Sequence, residues 1–118
     1  MTDLVALLST GKGTWTEVAK LINNQKWDNI FLITNEFGQQ TFNKKENMEF
    51  IVVNPTLSIE LLIEKIKTQL ENKIQGTDVA LNLNSGSGKE HMALLSALLK
   101  LGLGIRLVSF INNEIKEI

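Results

Sequence analysis

Residues 79–91 read Val-Ala-Leu-Asn-Leu-Asn-Ser-Gly-Ser-Gly-Lys-Glu-His, a strand pattern that runs into a glycine-rich turn. Apolar residues at helical spacing follow this turn. Ser87 and Glu90 have the S-x-x-E spacing of a capping box, which predicts that a helix begins at the glycines. Backbone N–H groups and the positive end of the helix dipole then form an anion site, and Lys89 adds a charge beside it. The stretch therefore indicates a phosphate-bearing ligand.

A second strand–turn–helix unit opens the chain. Residues 4–8 are a continuous apolar run, which is typical of a strand buried on both faces. Thr14 and Glu17 repeat the capping-box spacing and predict a helix over residues 15–25. The turn between them supplies further candidate ligand groups: Ser9, Thr10, Gly11, Lys12 and Gly13.

The rest of the chain continues the alternation of strands and helices. The pattern predicts strands at 30–33, 50–53 and 78–83, helices at 59–74 and 89–101, a short helix or turn with a loop at 37–47, and a terminal hairpin of 106–111 with 114–118. Gly76 suits the C-cap of the helix that precedes it, and Gly102 or Gly104 ends the last helix. We therefore predict one α/β domain over residues 1–118, with a Rossmann-like open, mostly parallel sheet, helices on both faces and a C-terminal β-hairpin. Both glycine turns follow strand carboxyl ends, where open sheets bind ligands.

Composition narrows the function classes. The formal net charge is −1 and the sequence pI is near 5.8, which disfavours a duplex DNA or RNA binder. The chain has no cysteine and one histidine, so thiolate and two-histidine metal sites are excluded, and we expect no metal and no cofactor. The N-terminal segment has no basic region and too short an apolar run for a signal peptide or membrane span. We expect a cytoplasmic protein with no membrane partner.

The last long helix has almost no polar face. Between Met92 and Leu101 only Ser96 and Lys100 interrupt the apolar residues. A helix that is apolar nearly all round is buried nearly all round, and in a small domain a second subunit can cover the side that the sheet leaves open. We therefore expect a homodimer built partly on this helix, although a well-covered core helix would show the same pattern.

Two common phosphate-binding motifs fit less well. The P-loop pattern needs glycine where Leu83 stands and serine or threonine where Glu90 stands. A dinucleotide-binding reading of residues 11–16 lacks the third glycine, whose place Thr16 takes, although Glu36 lies where a ribose-binding acid would fall. A dinucleotide-binding module remains the weaker alternative.

With both glycine turns placed, the chain resembles the CRISPR-associated Rossmann-fold (CARF) domains over nearly its full length. The resemblance rests on Leu-Leu-Ser-Thr-Gly after the first strand, on Leu-Asn-Leu-Asn-Ser-Gly-Ser-Gly-Lys-Glu-His-Met-Ala after the fourth, and on the closing hairpin. It implies a homodimer that binds a cyclic oligoadenylate across the dimer axis. The ligand-binding residues that it implies are Ser9, Thr10, Gly11, Ser85, Gly86, Gly88 and Lys89. The two turns themselves add Lys12, Gly13, Asn84 and Ser87 as candidate ligand-binding residues.

The resemblance implies two functions for a single domain without an effector. As a ring nuclease, the chain would cleave its ligand without a metal when a ribose 2′-hydroxyl attacks the neighbouring phosphate and leaves a 2′,3′-cyclic phosphate. Lys89 would stabilise the phosphorane charge, and Ser9 or Thr10 would orient the ribose. As a sensor or sink, it would bind the same ligand without turnover and act through a partner protein.

Overall fold

The computed structural model describes residues 2–8 and 15–118 and confirms the predicted α/β architecture. One six-stranded sheet has the strand order β3-β2-β1-β4-β5-β6. Its pairs are parallel except for the antiparallel pair β5–β6. The strands are β1 Leu4–Leu7, β2 Ile30–Thr34, β3 Met48–Val52, β4 Asp78–Asn82, β5 Gly104–Ile111 and β6 Glu114–Glu117. The helices are α1 Trp15–Asn23, α2 Glu36–Thr41, α3 Ile59–Leu70 and α4 Gly88–Lys100.

Helices cover both faces of the sheet, because alternate strand residues point to opposite sides. On one side α1 packs over Leu4, Ala6 and Leu8. On the other side α3 and α4 pack over Val5 and Leu7. The central strand β1 is therefore buried on both faces, as its continuous apolar run predicts.

The strand order creates a topological switch point between β1 and β4. From β1 the chain proceeds to β2 and β3 on one side, and from β4 it proceeds to β5 on the other. Register pairs Leu4 with Ala80 and Ala6 with Asn82, so the carboxyl ends of these two strands are neighbours. Open α/β sheets bind ligands in the crevice at such a point. The two glycine turns predicted from the sequence therefore follow neighbouring strands.

Several predicted boundaries were wrong by a few residues. Helix α3 ends at Leu70 rather than at residue 74, and its C-cap is Glu71 rather than Gly76. Asn72 follows with a φ of 67°, the left-handed conformation in which a helix commonly ends. Strand β4 ends one residue earlier than predicted, α1 ends two residues earlier, and β3 and β5 each begin two residues earlier. The polar segment between β2 and β3 contains the short helix α2, as predicted.

The terminal hairpin is confirmed and has a two-residue turn. Asn112 and Asn113 both have positive φ, 52° and 65°, which is the conformation of a type I′ turn. Asparagine tolerates this conformation better than other residues with a side chain. The Asn-Asn pair therefore fixes the register in which Ile111 faces Glu114.

Candidate functional site

The candidate site lies where β4 runs into α4, at the switch point of the sheet. Ser87 is the N-cap of α4: its Oγ accepts from the Glu90 amide at 3.2 Å, and its own amide donates to Glu90 Oε1 at 2.8 Å. Both halves of the predicted capping box are therefore present. The amides of Gly88 and Lys89 donate to no group in the described part of the chain. They are the two N–H groups that α4 leaves for an anion.

Lys89 has an unexpected set of partners. Its Nζ donates to the carbonyl oxygen of Pro55 at 3.2 Å and to that of Leu57, both in the loop between β3 and α3. The side chain therefore spans from the start of α4 to a loop that follows a different strand. An ammonium group has three N–H donors, so one donor remains for a ligand.

Gly86 is required by the shape of the turn. Its φ is +104°, a conformation that residues with a side chain rarely adopt. A Cβ at this position would lie 3.2 Å from His91 Nε2 and 3.2 Å from Leu7 Cδ1. The turn therefore passes closely between the end of β1 and the first turn of α4.

His91 holds the same turn from the helix side. Its Nε2 lies 2.9 Å from the carbonyl oxygen of Ser85. Because a carbonyl oxygen only accepts, Nε2 carries the proton. This contact gives the histidine a positioning role in the turn.

A buried asparagine, which the sequence analysis did not single out, fixes the other end of the turn. Asn82 Nδ2 donates to Asn84 Oδ1 at 2.7 Å and to the Val108 carbonyl at 2.9 Å. Asn82 Oδ1 accepts from the Asn84 amide at 3.1 Å. The side chain thus joins β5 to the first residues of the turn. The sequence does contain a signal for this role, because Asn82 is a polar residue directly after the apolar residues of β4.

Thr34 has the same relation to β2. Its hydroxyl donates to the Leu8 carbonyl at 2.9 Å and is buried, so it ties the carboxyl end of β2 to that of β1. Again a polar residue closes an apolar run. Asn82 and Thr34 thus hold together the carboxyl ends of the strands that border the crevice, and their side chains bond to the protein itself.

The predicted site residues that the structure describes are consecutive in the chain. Asn84 to Ser87 form the turn after β4, Gly88 and Lys89 begin α4, and Ser87, Gly88 and Lys89 are exposed. Ser85 is an exception because its side chain is buried at 1% exposure, which turns its hydroxyl away from solvent. The candidates of the first turn, Ser9, Thr10, Gly11, Lys12 and Gly13, lie outside the described residues, as does Thr14.

Two further findings concern metal ligands and membrane-spanning helices. Over residues 2–8 and 15–118, no three His, Cys, Asp or Glu side chains converge as metal ligands do. Within the same residues, no helix combines the length and the apolar character that crossing a bilayer requires.

Comparison with known proteins identifies no family for this chain. The sequence matches no protein-family model, and no curated protein matches it significantly.

Proposed function

We propose that this chain is a CARF-like domain that binds a cyclic oligoadenylate at the β4–α4 turn. The observation that carries the proposal is the pair of unused amides, Gly88 and Lys89, at the start of a 13-residue helix on the switch-point edge. The dipole of this helix and the remaining N–H of the Lys89 ammonium favour a phosphate there. A net charge of −1 agrees with a small anionic ligand and disfavours a duplex.

Cleavage follows from the same contacts if the ring is bound with a 2′-hydroxyl in line with the adjacent phosphorus. The 2′-hydroxyl gives up its proton as its oxygen bonds to phosphorus, the bond from phosphorus to the 5′-oxygen breaks, and the 5′-oxygen takes up a proton, so the products are a 2′,3′-cyclic phosphate and a 5′-hydroxyl. The Lys89 ammonium and the two amides would stabilise the charge of the phosphorane, which exceeds that of the bound diester. The reaction needs in-line geometry more than it needs a strong base.

Two contacts of the site favour a sensor or sink without turnover. His91, the only histidine of the chain, uses Nε2 on the Ser85 carbonyl, so one of its two ring nitrogens holds the turn. Two donors of the Lys89 ammonium are likewise bonded to carbonyl oxygens. The described part of the turn therefore offers electrostatic stabilisation of the phosphate, and Nδ1 is the one nitrogen of His91 left for proton transfer.

Incubation with a panel of cyclic oligoadenylates tests both forms of the proposal. Calorimetry would measure binding, and chromatography would measure products. A ring nuclease gives linear products that end in a 2′,3′-cyclic phosphate, whereas a sensor or sink gives binding alone. Absence of binding to every ring, with tight binding to duplex DNA at physiological salt, would overturn the proposal.

Lys89→Ala is expected to weaken cyclic oligoadenylate binding by about tenfold to a hundredfold, which is the usual worth of a hydrogen bond to a charged group. If the ring is cleaved, turnover should fall further than affinity, because the phosphorane carries more charge than the diester. Lys100→Ala, in the last turn of the same helix, is the matched control and should change neither. Binding and turnover that stay at the wild-type level in folded Lys89→Ala would remove Lys89 from the site.

The homodimer also belongs to this proposal, and the structure offers one face for it. Met92 and Leu99 of α4 are 62% and 64% exposed. Alternation along β5 puts Leu107 and Ile111, which are also exposed, on the same side of the sheet as α4, because Ile105 packs against the α3–α4 core. These four residues are therefore exposed apolar side chains on the α4 side of the sheet. A two-fold axis through this face would bring two crevices together.

Leu99→Glu tests this face. We expect wild type to scatter light as a particle of twice the 13.2 kDa chain mass, and Leu99→Glu as a folded monomer. Leu61→Glu, at a leucine of α3 that is 53% exposed, is the control and should stay dimeric. A wild-type monomer at micromolar concentration would refute the dimer.

A further inference from the structure

A large cleft lies beside the candidate site. It has a volume of about 760 Å³ and opens at the carboxyl ends of β2 and β3, bounded by the start of α2 and the flank of α3. Because β1 to β4 are parallel, this is the same edge of the sheet as the β4–α4 turn. The volume is within the usual range of small-molecule sites, about 300–1,000 Å³.

The cleft has an apolar wall and two charged groups. Val52, Val53, Pro55 and Leu57 supply aliphatic surface from the end of β3 and the loop after it. A planar ring packs well against such a surface, whereas a free sugar has little apolar area to bury.

Glu36 and Lys65 are the two charged groups that line the cleft. Both are exposed, and neither has a hydrogen-bond or ion-pair partner among the described residues. Each side-chain amide that lines the cleft uses one of its groups within the protein: Gln69 donates to the Val52 carbonyl at 3.1 Å, and the Oδ1 atoms of Asn35 and Asn54 accept from backbone amides. The charged groups that a ligand meets are therefore one carboxylate, which only accepts, and one ammonium, which only donates.

We propose that this cleft binds a ribonucleoside unit, with the vicinal hydroxyls of its ribose donating to the Glu36 carboxylate. Two adjacent hydroxyl donors match the two oxygens of a carboxylate, the base packs on the aliphatic wall, and Lys65 donates to an acceptor of the same ligand. The inference rests on the proposed function for one point, which is that the ligand is a ribonucleotide. It requires neither a cyclic ligand nor cleavage.

The loop between β3 and α3 lines the cleft and also contacts the candidate phosphate site. Pro55 and Leu57, which line the cleft, are the residues whose carbonyls accept from Lys89 Nζ. A phosphate near Lys89 and a nucleoside in the cleft would therefore both lie beside one short loop. One ribonucleotide unit of a larger ligand fits this arrangement.

The test compares AMP with its 2′,3′-dideoxy analogue by ligand-observed NMR titration. We expect wild type to bind AMP at least about tenfold more tightly, because the hydroxyls bond to a charged group. Glu36→Gln should lose this preference. Glu64→Gln, an exposed glutamate of α3 outside the cleft, should retain it.

Three results would overturn the inference: no AMP binding, equal binding of the two ligands by wild type, or a preference retained in Glu36→Gln. Its failure is distinguishable from failure of the proposed function. Cyclic oligoadenylate binding that depends on Lys89 but not on Glu36 would reject the cleft alone. A Glu36-dependent preference for AMP, without binding of any cyclic oligoadenylate, would support the cleft and reject the proposed function.

Discussion

Gly86→Ala should destabilise the fold by about 1–3 kcal/mol, the usual cost of holding a residue with a side chain in a left-handed conformation. Its φ is +104°, and a Cβ would also lie 3.2 Å from Leu7 Cδ1 and from His91 Nε2. Relief of that contact requires the turn to move away from the end of β1. The same movement would displace the helix start, so ligand binding should fall with stability.

Gly88→Ala is the matched control, two residues along the same turn. A Cβ on Gly88 would meet no atom within 4 Å, and its φ is not in the left-handed region. Alanine is preferred to glycine in a helix, so this variant should be as stable as wild type or slightly more stable. Urea denaturation at unchanged m-value measures both changes. Equal midpoints for the two variants would show that the turn tolerates a side chain at Gly86.

The site turn was predictable from sequence because its signals are local. The capping box of Ser87 and Glu90 is a spacing of three residues, and the structure shows both of its hydrogen bonds. The alternation of strands and helices placed the turn at the carboxyl edge of a mostly parallel sheet, whereas the strand order that makes β1 and β4 neighbours is a finding of the structure. Local pattern and global topology agree here, so the sequence specified this region well.

Lys89 shows what local reasoning misses. Its place in the first turn of a helix is unfavourable for a cation, and from the sequence this cost suggested that it faces a ligand. In the structure its partners are the carbonyls of Pro55 and Leu57, which lie 34 and 32 residues away in sequence. No spacing rule reports contacts over such a separation. The cleft beside that loop was missed for the same reason, since residues of three separate elements form it.

The end of α3 shows a second kind of failure. Ile74 continues the apolar spacing of the helix, and it does pack against the same core. The helix nevertheless stops at Leu70, and Asn72 turns the chain in a left-handed conformation. Apolar spacing records which residues are buried and does not record whether the backbone between them is still helical.

Helix α4 carries the clearest separation between core and surface. Sequence alone could not assign its apolar residues, because a core face and a dimer face have the same composition. The structure divides them: Ala93, Leu94, Ala97 and Leu98 are fully buried in the core of the chain itself, whereas Met92 and Leu99 face outward. Adjacent leucines, Leu98 and Leu99, therefore have different roles.

Leu98→Glu should leave no folded protein. Leu98 has 0% exposure in the cluster that joins α3, α4 and the sheet. Removing such a side chain costs about 2–5 kcal/mol, and an unpaired carboxylate in its place adds a desolvation cost of several kcal/mol more. A domain of this size has a total stability of only about 5–15 kcal/mol, so the two costs together are comparable to its whole free energy of unfolding.

The far-UV circular dichroism of Leu98→Glu should be that of an unfolded chain, whereas Leu99→Glu, one residue further along, should keep the wild-type spectrum and melt cooperatively. A folded, cooperative Leu98→Glu would mean that this part of α4 is not core, and the division between core and dimer face would have to be redrawn.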